Sequence, residues 1–421
     1  MNASEGLKDY MKCISMFFQD LEKPLEIGKT EINTLLHILS GVTDFRMPGK
    51  IIYRIENLLA ICFILALKGE FHSFCYAATY IRVWEDDFVS LGLVEKGKLP
   101  SHDTFRRIFG HLDANGLRDV FIKRIGPFLE RMASLDDGMR KKYRLLSGDG
   151  KTFNGSGRKY GAANLNVFNI FNASASVCLS SVPLTDKDSE IPEFQRMLPK
   201  YDLRKTIVTA DALHCQQETC RIVTSKKGHY VFKVKGNMKS LHDEIVSSFA
   251  DGKAPVSGFS HNECDYEFIK VKDIISDVGW PGAKTYARMV SHKRKDQKDY
   301  NPEYQYFVSS LTENMLIAEA VDNRWKIEDD LHNFKDTFLN EDSCTFMDGN
   351  AVKVMAVLNN IVFSFYRIAT AMMGYSTMME TKIRFKDRPL DLIALVVPML
   401  KGKNVSDLIK ANMKGRRNPE Q

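Results

Sequence analysis

The amino-acid sequence predicts a mixed α/β protein in which a helical region precedes a sheet-forming region. Residues 1–140 carry apolar side chains at helical spacing. From Tyr143 onward, short apolar runs are separated by polar and glycine-rich turns. The predicted order there is strand, strand, strand, helix, strand, helix, strand. Three successive strands followed by strands joined through helices indicate a mixed sheet covered by helices.

Each element of that order has its own sequence signal. Residues 165–171 alternate apolar with polar, the period of a half-buried strand, and residues 177–182 are its predicted hairpin partner. The other predicted strands are 143–147, 206–209 and 229–234, and the predicted helices are 190–198 and 216–226. Ribonuclease-H-like nucleases use this order, and in their sheets the first and fourth strands are parallel neighbours.

The rest of the chain divides around this sheet. We predict a helical N-terminal domain over residues 1–140, a core in two parts (141–235 and 316–380), a β-rich insertion over 236–315, and a C-terminal helix with a basic tail over 381–421. Helix 101–109 follows a good N-cap residue, Ser101, and carries Arg106 and Arg107. This helix could lie on DNA, although two adjacent arginines more often belong to an ordinary solvent-exposed helix. The insertion has a basic loop with Lys293 and Arg294, which fits phosphate contacts and a solvated charge run about equally.

The composition of the chain is compatible with several functions. The 421 residues carry a formal net charge of +6, which permits nucleic-acid binding without requiring it. The eight cysteines form no Cys-x-x-Cys pair, which indicates a reducing compartment. No signal peptide is visible, and the apolar run 58–67 is about half of the ~20 residues that a bilayer requires. We therefore expect a cytoplasmic protein without a membrane partner.

Two aspartates close predicted strands. Asp149 lies between Gly148 and Gly150, but a phosphate-binding loop is excluded because Leu145 stands where its first glycine would be. Asp211 follows the strand 206–209 and, taken alone, could simply cap the next helix. If these strands are neighbours, the two carboxylates lie a few ångströms apart, which is unfavourable without a cation between them. Hard oxygen ligands of this kind select Mg²⁺, with Mn²⁺ as a substitute.

A third carboxylate is predicted on a helix behind the sheet. Arg324, Glu328 and Lys335 are spaced four and seven residues apart, which puts them on one face of a continuous helix. An acid between two bases could hold a metal ion and contact phosphates on either side. The alternative is a surface helix with ordinary ion pairs.

These residues belong to a series of motifs that resembles a known family, the DDE insertion-sequence transposases, and within it the H-repeat-associated group. The resemblance covers about residues 44–367. The motifs that carry it, in chain order, are Pro100-Ser101-His102-Asp103-Thr104, Asp149-Gly150-Lys151-Thr152, Lys187-Asp188-Ser189-Glu190-Ile191, Asp211-Ala212 with Gln216, Lys235-Gly236-Asn237, Trp325 with Glu328, and Asn340-Glu341-Asp342. The family more often has histidine at the position of Arg324 and an aliphatic residue at that of Gly148.

The resemblance implies a ribonuclease-H-like catalytic domain with Asp149, Asp211 and Glu328 as the acidic triad. It implies two Mg²⁺ ions, with Asp149 bridging both, and phosphoryl transfer that cuts DNA at the element ends and joins them to target DNA. Lys151, Lys235, Arg324 and Lys335 are the predicted phosphate contacts near the site. The expected partners are double-stranded DNA, both terminal inverted repeats and target, and a second copy of the chain in a homodimer at the bacterial nucleoid. A silent DNA-binding relative and a stand-alone Mg²⁺-dependent nuclease are the alternatives.

Overall fold

The computed structural model describes residues 29–133, 143–153, 165–174, 177–184, 189–252, 254–274, 276–292, 303–324, 327–343, 345–346 and 348–400. The chain forms two compact units. The first, which we call the helical unit, comprises Met1–Met132, Thr152–Leu165 and Leu331–Gln421. The second, the sheet unit, comprises Ala133–Lys151 and Asn166–Asp330. The five-segment division predicted from the sequence remains a prediction.

The sheet unit is built on nine strands. They are β1 (Arg144–Phe153), β2 (Leu165–Asn172), β3 (Val177–Leu184), β4 (Thr206–Ala210), β5 (His229–Val234), β6 (Ser257–His261), β7 (Cys264–Lys270), β8 (Thr285–Ser291) and β9 (Gln305–Ser309). They form one sheet in the order β3-β2-β1-β4-β5-β9-β8-β7-β6. The fold is therefore a mixed α/β sheet, and the strands from the predicted insertion extend the core sheet beyond β5.

The directions of the central strands agree with the ribonuclease-H-like prediction. β1 runs parallel to β4, and β4 runs parallel to β5. β2 and β3 form the predicted antiparallel hairpin, and β5 pairs antiparallel with β9. The first and fourth strands are thus parallel neighbours, as the order of elements predicted.

Two details of the strand predictions were wrong. β1 continues through the glycines to Phe153, so Asp149 lies within the strand rather than after it. The sequence prediction also missed β6 and β8. β6 has the sequence Ser-Gly-Phe-Ser-His, and its side chains are exposed or half-buried, so it lacks the alternating apolar pattern that identifies strands.

Helices of the sheet unit pack on this sheet. Numbered in chain order, after six helices of the helical unit, they are α7 (Glu190–Met197), α8 (Gln217–Ser225), α9 (Lys239–Ala250) and α10 (Asn314–Arg324). Phe168 of β2 and Phe194 of α7 are almost fully buried, with ring centroids 5.3 Å apart. These two rings lie so close to Gly148 that they leave no room for a side chain there. The core therefore packs directly against the backbone that leads to Asp149.

The helical unit draws on both ends of the chain. Its helices are α1 (Lys29–Leu39), α2 (Ile55–Leu67), α3 (Phe74–Val83), α4 (Glu85–Ser90), α5 (His102–His111), α6 (Ala114–Ala133), α11 (Asn333–Thr337), α12 (Gly349–Met373), α13 (Met378–Phe385) and α14 (Pro389–Leu400). Phe365 of α12 packs edge-on against Phe63 of α2 at 4.9 Å between centroids. The Asn350 amide donates to the Phe109 carbonyl at the end of α5, at 2.9 Å. α12 is thus the helix around which N-terminal and C-terminal helices pack.

One helix in the described part of the chain, α12, has the length and apolar composition needed to cross a membrane. In its most apolar 18-residue window, 89% of the residues are buried inside the protein. Such burial is characteristic of the core helix of a globular unit.

Candidate active site

The register between β1 and β4 places two acidic residues side by side. Gly148 of β1 is paired with Ala210 of β4 in the parallel ladder. The next residues along the two strands are Asp149 and Asp211. Because neighbouring parallel strands run about 4.8 Å apart, the two aspartates start from adjacent backbone positions at the same edge of the sheet. This is the placement that the sequence predicted.

Asp149 is in a charged and largely buried environment. The pKa of its carboxyl is raised to about 7, chiefly by burial and next by the charge of the Glu328 carboxylate. The Arg324 guanidinium acts in the opposite direction, whereas Glu190 adds a second repulsive charge. The Asp149 carboxyl is therefore affected by the charge of Glu328, the third predicted acid, and by that of Glu190, which was not among the predicted site residues.

Asp211 does not behave as a helix cap. It precedes a short 3₁₀ turn, Ala212–His214, but its side chain makes no capping hydrogen bond. The turn is held by the backbone instead, with His214 N donating to the Asp211 carbonyl at 3.0 Å. The Asn237 amide donates to the Ala212 carbonyl at 2.9 Å, which ties the loop after β5 to this turn. The capping interpretation of Asp211 is thus not supported.

Glu328 lies in an irregular helical segment. The sequence predicted a continuous helix through Arg324, Glu328 and Lys335, but α10 is assigned over Asn314–Arg324, and Ile327–His332 forms a π-helical turn before α11. Arg324 Nη1 is 3.7 Å from Glu328 Oε1, and Arg324 is only 6% exposed. The Glu328 side chain is 41% exposed, so the pair joins a buried guanidinium to a solvent-accessible carboxylate. π-helical turns occur frequently at functional sites.

The end of α10 is anchored to the β6–β7 hairpin. Asp322 accepts a hydrogen bond of 2.6 Å from the Tyr266 hydroxyl and one of 2.8 Å from the Asn262 amide. Tyr266 is 1% exposed, so its hydroxyl is held in a fixed position. Asp322 precedes Arg324 by two residues, and these bonds therefore fix the part of the helix that carries the Arg324 guanidinium.

The neighbouring strand β5 and the residue after it carry positively charged side chains near the acids. Burial lowers the pKa of Lys233 on β5, and the Lys235 and Arg324 charges lower it further, whereas Asp211 opposes them. Lys233 donates to Gln305 Oε1 at 2.8 Å, and Lys235 is exposed. The sequence prediction included Lys235 and Arg324 but missed Lys233. The spacing offered a signal, because Lys233 of β5 and Lys235, which directly follows the strand, are two residues apart, the repeat of one strand face.

The structure does not support one predicted phosphate contact. Lys335 is 0% exposed and lies in the helical unit, where its Nζ is 3.8 Å from Glu341 Oε1. A fully buried ammonium offers no surface to DNA. The prediction assumed a regular helix between Glu328 and Lys335, and the π-helical turn changes that register.

The remaining predicted DNA contacts have different positions. Lys151 on β1 is 8% exposed. Arg106 and Arg107 are exposed on α5, and Arg106 is paired with Asp103 at 2.8 Å. Lys293 and Arg294 lie outside the described residues. Apart from Lys335, these contacts stay predictions.

The donor set suits a hard divalent cation. Asp149, Asp211 and Glu328 offer only carboxylate oxygens, the ligands that Mg²⁺ and Mn²⁺ prefer. Within the described ranges, no three His, Cys, Asp or Glu side chains are grouped closely enough to hold a metal ion together. The backbone register of the two aspartates and the electrostatic interaction between Asp149 and Glu328 bring the acids to one region of the sheet unit, although their carboxylates are not grouped as metal ligands in the described residues.

Comparison with known protein families defines the class. The family described as "Transposase DDE domain" matches residues 139–365, which is more than half of the chain. The family described as "DDE_Tnp_1-associated" matches residues 36–124. The chain therefore belongs to the DDE-domain transposases, and the resemblance inferred from its motifs is confirmed.

The curated relatives place it more closely. The chain is 24% identical to "Putative transposase YncI" of Escherichia coli O157:H7, over 80% of this chain and 88% of that protein. It is 25% identical to "H repeat-associated putative transposase YhhI" of Escherichia coli K12, over 79% of this chain and 90% of that protein. A solved piggyBac transposase synaptic complex with hairpin DNA aligns over 96% of this chain and 88% of that chain, at 10% identity and a TM-score of 0.42. The fold assignment rests on the strand order, not on that alignment.

Proposed function

We propose that this protein cuts DNA at the ends of its element and joins the freed ends to target DNA, with Asp149, Asp211 and Glu328 as the acids of the active centre. The observation that carries the proposal is the pairing of Gly148 with Ala210, which brings Asp149 and Asp211 to adjacent positions. Membership of the DDE transposase family and the charge contact between Asp149 and Glu328 support it.

The three acids would hold Mg²⁺ or Mn²⁺. Bound divalent ions of this kind activate the attacking oxygen and stabilise the leaving oxygen of a phosphodiester. Asp149 has a reason to bind a cation, because burial and two neighbouring carboxylates disfavour its charged form. The buried Arg324 guanidinium offsets part of this repulsion and lies 3.7 Å from the Glu328 carboxylate.

Lys233, Lys235 and Arg324 would bind the DNA backbone. The Arg324 charge contributes to the lowered pKa of Lys233, and the Asp211 charge acts on Lys233 in the opposite direction. A phosphate beside these groups would relieve their mutual repulsion. DNA is the partner that the family implies; recognition of terminal inverted repeats, a homodimer on paired ends, and a place at the nucleoid in the cytoplasm stay proposals.

The experiment is cleavage of a linear DNA that carries this gene with its native flanks. Wild type is compared with Asp149→Ala, Asp211→Ala and Glu328→Ala, in Mg²⁺ or Mn²⁺ and in EDTA. The matched control is Glu218→Gln, because Glu218 is an exposed acid on α8, paired with Arg221. We expect discrete metal-dependent cuts at the element boundaries from wild type and the control, and none from the three alanine variants.

Other outcomes identify the alternatives. Boundary binding without cutting by wild type would favour a silent DNA-binding relative. Cutting without subsequent joining would favour a stand-alone nuclease. Normal cutting by Asp149→Ala would overturn the assignment of the triad.

A further inference from the structure

The loop between α1 and α2 exposes large apolar side chains at its tip. We call residues 45–54 the tip loop. Met47 is 67% exposed and Ile52 is 77% exposed, and Ile51 beside it is exposed as well. Gly49, at the turn between them, has a φ of +85°, and no described atom lies within 4 Å of the position of its missing side chain. Single exposed apolar residues are ordinary, whereas a projecting cluster of them indicates an interaction site.

The tip loop is held in one shape by its own hydrogen bonds. The Arg46 guanidinium donates to the Tyr53 carbonyl at 2.8 Å and pairs with Asp44 at 2.6 Å, so it joins the two ends of the loop. The Lys50 N–H donates to the Met47 carbonyl at 3.2 Å and closes the turn. A loop that is ordered before it binds loses little further conformational entropy on binding.

The two ends of the tip loop are attached to α5 and to the chain before it. The Phe45 ring stacks on His111, the last residue of α5, with centroids 5.5 Å apart. The Tyr53 hydroxyl donates to the carbonyl of Leu99, three residues before α5, at 2.9 Å. The apolar tip therefore belongs to the same part of the helical unit as the two exposed arginines of α5.

The charge of this region identifies the kind of partner. The tip loop contains three basic residues and no acidic residue. Lys50 is exposed at the tip, and the Arg54 side chain is 73% exposed. Positive charge beside a helix with two further arginines attracts a polyanion. A symmetric contact with a second copy of the chain would bring like charges together, and is therefore disfavoured.

We propose that the tip loop inserts Met47 and Ile52 into the minor groove of duplex DNA as an apolar wedge, with the basic residues around them on the phosphates. The inference rests on the proposed function for the identity of the partner. Apolar side chains that enter between base pairs unstack them and kink the duplex. Insertion also removes the exposed apolar surface from water, which favours binding.

The test is binding of the full chain, in EDTA, to a duplex from the element boundary with a fluorescent dye at each end. Ile52→Ser should lower the affinity about tenfold. The salt dependence of binding should stay unchanged, because no phosphate contact is lost. At saturating protein, energy transfer between the dyes should be lower than with wild type, because the duplex is bent less.

Ile383→Ser is the matched control, because Ile383 is also 77% exposed but lies on α13. It should bind and bend the duplex as wild type does. Equal affinity and equal bending by the two serine variants would overturn the wedge and leave the triad intact, because no cleavage occurs in EDTA. If wild type binds no duplex, the wedge fails together with the DNA partner of the proposed function.

Measurements without DNA test the other possible occupants of the tip loop. In sedimentation velocity, Ile52→Ser should have the same oligomeric state as wild type. In thermal unfolding, it should be as stable as Ile383→Ser. A wild-type dimer that Ile52→Ser dissociates would make the loop a contact between copies. A lower unfolding temperature of Ile52→Ser would show that another part of the chain covers the loop, and either result would overturn the proposal.

Discussion

The charge environment of each residue in this site is set by neighbours that are distant in the sequence, and Asp149 is an example. The motif around Asp149 was visible in the sequence, and so was Asp211. The sequence could not show that Glu190 lies on Gly150 or that Lys233 interacts with Arg324, because those contacts follow from how α7 and β5 pack against the end of β1 and β4. The residue types of the site could be predicted from the sequence. Their spatial neighbours could not, because those depend on how the elements pack.

The raised pKa of Asp149 has a consequence for stability. Between about pH 4 and pH 7, the folded protein keeps a proton on Asp149 that the unfolded chain has lost, so the free energy of unfolding falls as pH rises through this range. The loss is at most about 4 kcal/mol at roughly 1.4 kcal/mol per pKa unit. In metal-free buffer, the free energy of unfolding of wild type relative to Asp149→Asn should fall from pH 4 to pH 7, and Mg²⁺ should restore it.

Urea unfolding at several pH values measures this difference. Burial lowers the pKa of His214 to about 4, so protonation of His214 in the unfolded chain reduces stability as pH falls. Both proteins contain His214, and the comparison between them removes most of that contribution. A difference that does not change with pH would mean that Asp149 titrates normally.

Gly148 is the clearest case of a residue fixed by packing. A methyl group there would lie 2.8 Å from Phe194 Cε2 and 2.9 Å from Phe168 Cζ. Gly148→Ala should therefore lower the free energy of unfolding by about 1–3 kcal/mol. Gly236→Ala is the control, because nothing lies within 4 Å of its methyl position.

Thermal unfolding of both variants measures the effect. Adding Phe168→Leu to Gly148→Ala should recover part of the loss by making room for the methyl group. Equal stability of Gly148→Ala and Gly236→Ala would show that the rings move aside without cost. The aliphatic residue more usual in the family at this position would require a different packing of these rings.

At the scale of elements, regular patterns were predicted well and irregular ones were not. The alternating residues of β2 and the β-branched run of β4 fall where the sequence indicated. The continuous helix predicted through Arg324, Glu328 and Lys335 was wrong, because apolar spacing does not distinguish a π-helical turn from an α-helix over six residues. That error alone placed Lys335 on the face of Glu328.

The buried Lys335–Glu341 pair gives a prediction for the helical unit. Lys335→Met would remove the positive charge that lies 3.8 Å from the buried Glu341 carboxylate, which should cost about 3–5 kcal/mol. Adding Glu341→Gln should recover most of this loss, because glutamine is neutral and still accepts the 2.9 Å hydrogen bond from the Asn359 amide.

Chemical denaturation of the two variants and of Lys50→Met, an exposed lysine, is the measurement. If Lys335→Met were as stable as Lys50→Met but bound DNA more weakly than wild type does, Lys335 would be a DNA contact after all.

At the scale of the whole molecule, the predicted catalytic acids and the predicted DNA-contacting arginines of α5 lie in different units. All three acids belong to the sheet unit, and Arg106 and Arg107 belong to the helical unit. The sequence pattern changes at Tyr143, and the domain division predicted from that change remains a prediction. It did not show that C-terminal helices join the N-terminal ones in a single unit, because that packing depends on long-range contacts such as Tyr366 with Leu67.

The predicted DNA role of α5 can be separated from catalysis. If Arg106 and Arg107 contact phosphates, replacing both by alanine should reduce the salt dependence of DNA binding by about one slope unit per contact and leave Mn²⁺ affinity unchanged. Arg221→Ala is a matched control, because Arg221 is exposed and paired with an acid three residues earlier, as Arg106 is. An unchanged slope in the double variant would assign both arginines to ordinary ion pairing.

Joining of a pre-cut element end to a supercoiled plasmid tests the central claim most directly. The reaction contains Mn²⁺ and an end with a free 3′-OH, and it compares wild type, Asp149→Ala and Glu218→Gln. We predict covalently joined product from wild type and Glu218→Gln, and none from Asp149→Ala. Joined product from Asp149→Ala, or no product from wild type that binds and cuts the same end, would contradict a transposase active centre built on Asp149.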